Sequence, residues 1–307
     1  MSRHVTQNAF WVVLGAIVIG LAFPAVSHQL RPYTFGFLFV VIICTLIQMA
    51  PPQQDQVGQK GRMGKLLMWQ LILSPILVWG VVTAIGLPDT LSTALIACAC
   101  AGPVSSTPAF AKLMGLDDRF TVQNLMLSSI LMPMSLIAAG YFLLPIQPDI
   151  DLYTFVARVG LFLIIPFLCG VVFRRVTSSS FQKKSGAPLL SISTISLALM
   201  ACSLMDGITS RAIQSPNEMM FLVTLALGFN ILLQTVTTLL FKPLGRDFAV
   251  NAGLVCGYRN WALTLALTAG SLGEDFTALV AIGQFGVMLL PLPSVRFFKK
   301  ILGHPSL

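Results

Sequence analysis

Charge is scarce in this chain of 307 residues: only 10% are Asp, Glu, Lys or Arg, where a soluble domain of this length carries about a quarter. Acid is scarcer still, with 11 acidic residues against 19 basic ones, and there are only 3 histidines. His4, His28 and His304 all fall at termini or in loops, so neither a zinc set nor a histidine proton relay inside a membrane is expected. The 6 cysteines form no C-x-x-C pair; Cys44, Cys98, Cys100, Cys169, Cys202 and Cys256 lie in apolar stretches and read as small packing residues. There is no Walker loop, no G-x-S-x-G elbow and no H-E-x-x-H, and the polar loops are too short for an ATPase domain. The chain therefore reads as no enzyme, without cofactor or nucleotide. A net charge of +8 raises the question of nucleic acid, but the basic residues sit between hydrophobic runs, where they act as topology signals, so no nucleic-acid partner is expected.

What the chain has instead is long apolar runs. Apolar residues make up 56% of it and the mean hydropathy is +0.85. Windows long enough to cross about 30 Å of hydrocarbon fall at 9–27, 34–50, 64–87, 91–114, 121–147, 153–175, 187–210, 218–242, 248–271 and 275–301. They are continuous, not alternating, which excludes barrel strands and predicts helices that satisfy their own backbone hydrogen bonds. The expected class is an all-α membrane protein of ten transmembrane helices.

Ten crossings place the loops on alternating sides. One side collects Arg3, Lys60, Arg62, Lys65, Lys112, Arg119, Arg174, Arg175, Lys183, Lys184, Lys242, Arg246, Arg296, Lys299 and Lys300, the other only Arg31 and Arg211. That asymmetry predicts an inner-membrane protein with both termini cytoplasmic. The alternative for the first segment is a cleaved signal peptide, since Arg3 and His4 precede it and Ala25-Val26-Ser27 follows. The acidic loop at Asp149 and Asp151 divides the chain into 1–150 and 151–307, five segments each. A second copy of a five-helix unit must enter the membrane from the opposite side, so the count implies two inverted repeats, and the repeat retains the first segment.

Two segments are irregular. Segment four, ALIACACAGPVSSTPAFAKLMG, carries Gly102-Pro103 and Thr107-Pro108 around Ser105 and Ser106. Two prolines five residues apart remove two amide donors and predict a break near mid-membrane. Broken backbone in lipid is tolerated only against protein or a water-filled cavity, where its free groups and hydroxyls can bind a polar ligand; the plainer reading is a proline kink with back-bonded hydroxyls. Segment nine, AVNAGLVCGYRNWALTLALTAG, puts Gly257-Tyr258-Arg259-Asn260 at its centre. A mid-membrane arginine costs several kcal/mol and needs a partner, a cavity or a function, and no carboxylate lies at that depth. Arg158, near the end of its segment, suits snorkelling better.

At these segments the sequence resembles the bacterial bile acid:sodium symporter family, whose fold has two inverted five-helix repeats with unwound, crossing fourth and ninth helices. ACAGPVSSTPAFAKLMG is similar to the family's A-C-P-G-G-T-S-S-N-V-x-T-Y-L-A-x-G, which places Ser106 and Thr107 on its Ser-Asn pair. Gln70 before Pro75, and Ser128-Ser129 before Pro133, are similar to further family positions. In segment nine the family reads E-V-G-M-Q-N-S-G-L; Gly257, Asn260 and Leu263 match, but the sodium-ligating Glu and Gln become Val255 and Arg259. Hard cations want several oxygens, at least one usually anionic, and a guanidinium among them repels the ion. A fixed Arg charge would instead stand in for the ions.

The resemblance implies a secondary transporter that binds a small organic anion by alternating access, not strictly coupled to sodium. Arg259 would be the bidentate charge partner, with Asn260, Tyr258, Ser105, Ser106, Thr107 and Gln70 around the substrate. Ser106, Thr107, Ser128 and Ser129 would be the remnant of a cation site. Two alternatives stay open: a sodium/organic anion symporter using carbonyls and hydroxyls alone, and a membrane sensor or accessory subunit that keeps the fold without turnover.

Overall fold

The computed structural model describes residues 9–48, 57–144, 152–268 and 273–301. The repeat boundary at 150 and 151, the loop acids Asp149 and Asp151, and Arg3, His4 and His304 lie outside the described residues. In chain order the helices are α1 (Ala9–Ala22), α2 (Pro24–Leu30), α3 (Thr34–Gln48), α4 (Val57–Met68), α5 (Ser74–Ala84), α6 (Asp89–Ala99), α7 (Thr107–Leu113), α8 (Asp118–Phe142) and α9 (Leu152–Val159). They continue with α10 (Ile165–Val176), α11 (Ser179–Ser203), α12 (Ile208–Gln214), α13 (Pro216–Phe241), α14 (Arg246–Gly257), α15 (Trp261–Thr268), α16 (Gly273–Leu289) and α17 (Pro291–Ile301).

Among the described residues there is no strand, and six helical stretches are long and apolar enough to cross a membrane: Pro24–Gln48, Lys60–Ala84, Asp118–Phe142, Tyr153–Val176, Ser180–Gln214 and Pro216–Leu244. Lipid is the solvent such surfaces require; Trp79, Met134, Phe142 and Leu168 are all exposed on them. Within two of the spans, α4 and α5 are joined by a π-helical turn at Trp69–Leu73, and α9 and α10 by another at Gly160–Ile164. Each π turn runs into a proline, Pro75 or Pro166, whose missing amide leaves a carbonyl of the preceding turn without its usual donor. At the first turn that carbonyl is Leu71 O, and Ser135 Oγ donates to it at 2.5 Å.

The contacts divide the chain into two compact units, each drawing on both halves of the sequence. The first comprises residues 1–50, 150–222 and 265–269. In it α11 packs along α1, α2 and α3, with Thr34 Oγ1 donating to Ser203 Oγ at 2.8 Å and Gly20 so close to α11 that an added Cβ would stand 2.7 Å from Cys202 O. Asp206 is held by Arg31 at 2.9 Å, and Arg158 Nη1 reaches Leu267 O at 3.5 Å.

The second unit comprises residues 51–149, 223–264 and 270–307. Its centre is made of α6 and α14, which are buried on every side from Leu91 to Ala99 and from Ala249 to Gly257. Their composition explains this: Ala, Gly, Cys and Val let neighbouring backbones approach closely. Gly257 shows how closely, since a Cβ there would meet Gln234 Cβ at 2.7 Å.

Candidate functional site

Segment four breaks where its sequence says it should. Helix α6 ends at Ala99, the chain runs non-helically through Gly102-Pro103, and α7 restarts at Thr107 with Pro108 in its first turn, where a missing amide costs nothing. Segment nine has no proline, yet α14 stops at Gly257 and α15 begins at Trp261. The two breaks account for each other. Val104 N donates to Tyr258 O at 2.9 Å and Asn260 N to Gly102 O at 2.8 Å, an isolated antiparallel bridge centred on Pro103 and Arg259. Asn260 also caps α15, its Oδ1 accepting from Leu263 N at 3.1 Å. Each break thus supplies the hydrogen-bond partners that the other lost.

Gly102 makes the crossing possible. A Cβ there would lie 2.7 Å from Ser128 Oγ and 3.3 Å from Ser129 Oγ, so the crossing segment rests directly on the serine pair of α8. Ser128 turns its hydroxyl back to Asn124 O at 2.6 Å.

Arg259 is 0% exposed, and its guanidinium is enclosed by oxygen. Nε donates to Cys256 O at 2.8 Å, Nη1 to Ala101 O at 2.6 Å and Gln70 O at 3.2 Å, and Nη2 to Ser74 Oγ at 2.7 Å. Cys256 O is a terminal carbonyl of α14, the end of a helix that favours a cation; Ala101 O belongs to the non-helical stretch just past the end of α6, and Gln70 lies in the π turn that Pro75 produces. All four acceptors are uncharged, so the carbonyl ends solvate the guanidinium without neutralising it. Four of its five N–H groups are engaged; the fifth has no partner among the described residues.

The structure places the other expected residues unevenly around this point. Gln70 is fully buried, its Oε1 accepting from Asn124 Nδ2 at 3.0 Å while its Nε2 is unpartnered. Ser106 Oγ and Thr107 Oγ1, at the restart of segment four, are buried hydroxyls without partners among the described residues; Ser105 is partly exposed. Tyr258 turns elsewhere: its hydroxyl donates to Gln234 Oε1 of α13 at 2.9 Å, with Ser294 Oγ of α17 at 2.7 Å. Three contributors escaped the sequence reading, Ser74, Asn124 and Gln234. Their signal was present in the spacing: Ser74 follows Gln70, Ser128 follows Asn124 and Gln234 follows Asn230 by one helical turn within otherwise apolar runs.

Two unwound helices joined inside an all-helical, multi-pass membrane protein, around a buried charge, define a membrane carrier. Residues 35–215, more than half of the chain, match the sodium bile acid symporter family, and the chain belongs to that family. It is a transporter, not an enzyme, and the family carries organic anions. The match ends before segment nine, so the departures at Val255 and Arg259 fall outside it. A search of curated individual proteins finds no match.

Proposed function

We propose that this protein is a ten-helix inner-membrane secondary transporter, built as two inverted five-helix repeats at 1–150 and 151–307 with both termini cytoplasmic, that moves a small organic anion without requiring sodium. The observation that carries the sodium claim is the enclosure of Arg259. Three carbonyls and a hydroxyl converging on one point would suit a hard cation, and here they are taken by a tethered guanidinium. A metal ion in the same cage would face the Arg charge at contact distance, with Val255 offering no carboxylate against it.

Arg259 acts on the substrate mainly through its field, with its remaining N–H as the one direct contact left to it, so the bidentate pairing expected from sequence gives way to a fixed positive charge behind the site. Orientation falls to Ser105, Ser106, Thr107 and the amide of Gln70, with Asn260 and Tyr258 shaping the crossing; three of these carry buried polar atoms that a bound anion would satisfy. Uptake of a radiolabelled anion into proteoliposomes, with sodium replaced by choline, tests the proposal. Equal uptake is the expected result, and loss of most uptake would overturn it.

A second reading keeps sodium and draws support from the unpartnered oxygens of Ser106, Thr107 and Asn124, with the crossing at Gly102 resting on Ser128 and Ser129. It predicts uptake that depends on sodium and is impaired by Thr107→Val.

A further inference from the structure

We propose that the second unit holds a further site, for a small monovalent anion, lined by Asn230, Gln234 and Trp261 at the N-terminus of α15. These side chains are 0%, 1% and 1% exposed. Asn230 Nδ2, Gln234 Nε2 and Trp261 Nε1 have no hydrogen-bond partner among the described residues, and neither does Asn230 Oδ1. Buried donors of this kind are rare in native proteins, and three on side chains packed about Gly257, Gly283 and Gly286 mark a place for a ligand.

The packing brings the three together. Asn230 and Gln234 are one helical turn apart on α13, and both flank Gly257, where a Cβ would meet Gln234 Cβ at 2.7 Å and Asn230 O at 3.2 Å. Asn230 Nδ2 and the Trp261 ring both lie against α16, at Gly286 and at Gly283, which are again one turn apart; a side chain at either glycine would displace them. Phe229 closes on the indole edge-on at 5.2 Å. Gln234 is further fixed by Tyr258, which occupies its Oε1 and leaves its amide nitrogen free.

The donor count favours an anion. Three donor nitrogens, two of them NH2 groups, stand against one acceptor oxygen, the positive end of α15 begins at Trp261, and the guanidinium two residues earlier leaves this depth with an uncompensated positive charge. Such a site takes a free inorganic anion or the carboxylate head of an organic one. It stands on residues separate from those assigned to orient the transported substrate, except Tyr258, so it holds whether or not the transport proposal does.

The test is thermal unfolding of the purified full-length protein in sodium bromide, sodium acetate or the salt of a bulky sulfonate, sodium MOPS, at constant ionic strength. Binding to the folded state raises the melting temperature with a saturable dependence on concentration. The expected result is saturation by bromide, by acetate or by both. Bromide alone identifies an inorganic anion, and acetate alone a carboxylate. Asn230→Leu and Trp261→Phe each remove a donor and should weaken the apparent affinity by about tenfold, the loss of one hydrogen bond to a charged group. Melting of each variant in MOPS establishes that it is folded, and an anomalous bromide peak between Asn230, Gln234 and Trp261 in crystals would locate the ion directly. The proposal is overturned if neither anion gives a saturable rise in the wild type, or if both folded variants respond as the wild type does; the space then holds only water.

Discussion

At the scale of the single residue, Arg259 resolves a conflict that its sequence position raises. A charge buried without a carboxylate should be intolerable, yet every group around it accepts a hydrogen bond, and one of the four acceptors, Cys256 O, is at a helix carboxyl end. The geometry uses the planar fork of arginine, so lysine cannot reproduce it: three donors from one nitrogen cannot reach four acceptors spread over three segments. Arg259→Lys should lower stability by about 2 to 4 kcal/mol, read as a shift of the unfolding midpoint in detergent; an unchanged midpoint would refute the tie. The double variant Val255→Glu with Arg259→Gln restores the two family residues, and it should gain thermal stability on addition of sodium where the wild type gains none. That Arg259 would need an enclosure of its own was legible from sequence, because a mid-membrane arginine stands out. Its partners were not, because three of them are backbone carbonyls and the fourth, Ser74 Oγ, lies 185 residues away, where nothing in the local sequence announces an acceptor.

At the scale of the element, the two interrupted segments differ in how they declare themselves. Segment four carries its break in its own residues, Pro103 and Pro108, and α6 and α7 end and begin beside them. Segment nine has only Gly257-Tyr258-Arg259-Asn260, and its break depends on a partner: remove the bridge to Gly102 and Val104, and nothing local forbids a continuous helix. Gly102 is accordingly the sensitive position. Gly102→Ala drives a methyl into Ser128 Oγ and should destabilise the protein by about 1 to 3 kcal/mol, as overpacking does. Adding Ser128→Ala removes the nearest obstructing atom and should recover part of that loss. Calorimetry of the two variants checks both, and equal destabilisation by single and double variants would place the strain elsewhere. The polar positions of the long apolar helices, Asn124, Asn230 and Gln234, went unread for a different reason. Spacing marks a polar face, as at Asn230 and Gln234, but does not say which helix that face meets, and the role of such an amide emerges only when another helix brings it a partner.

At the scale of the whole molecule, helical class and repeated membrane crossing follow directly from hydropathy. The arrangement into two compact units does not, because each takes helices from both halves of the chain and a linear reading naturally divides at the middle loop. Loop charge makes a prediction that the helices themselves do not: reporter fusions at the C-terminus and within 178–186 should both report the cytoplasmic side. A periplasmic C-terminus would refute the ten-span count, since the parity of crossings fixes that end.

An exchangeable ion has an occupancy that follows its concentration, and any process that needs it inherits that dependence. The guanidinium of Arg259 has none. It is delivered once, during synthesis, at a fixed stoichiometry and with its translational entropy already spent. If it serves as the cation of the crossing, affinity for the transported anion becomes a constant of the polypeptide, the same in dilute and saline media. The direction of net flux is then independent of the sodium gradient. A carrier of this kind is suited to habitats where external sodium is low or erratic, and it gives up the ability to concentrate its substrate at the expense of a sodium gradient.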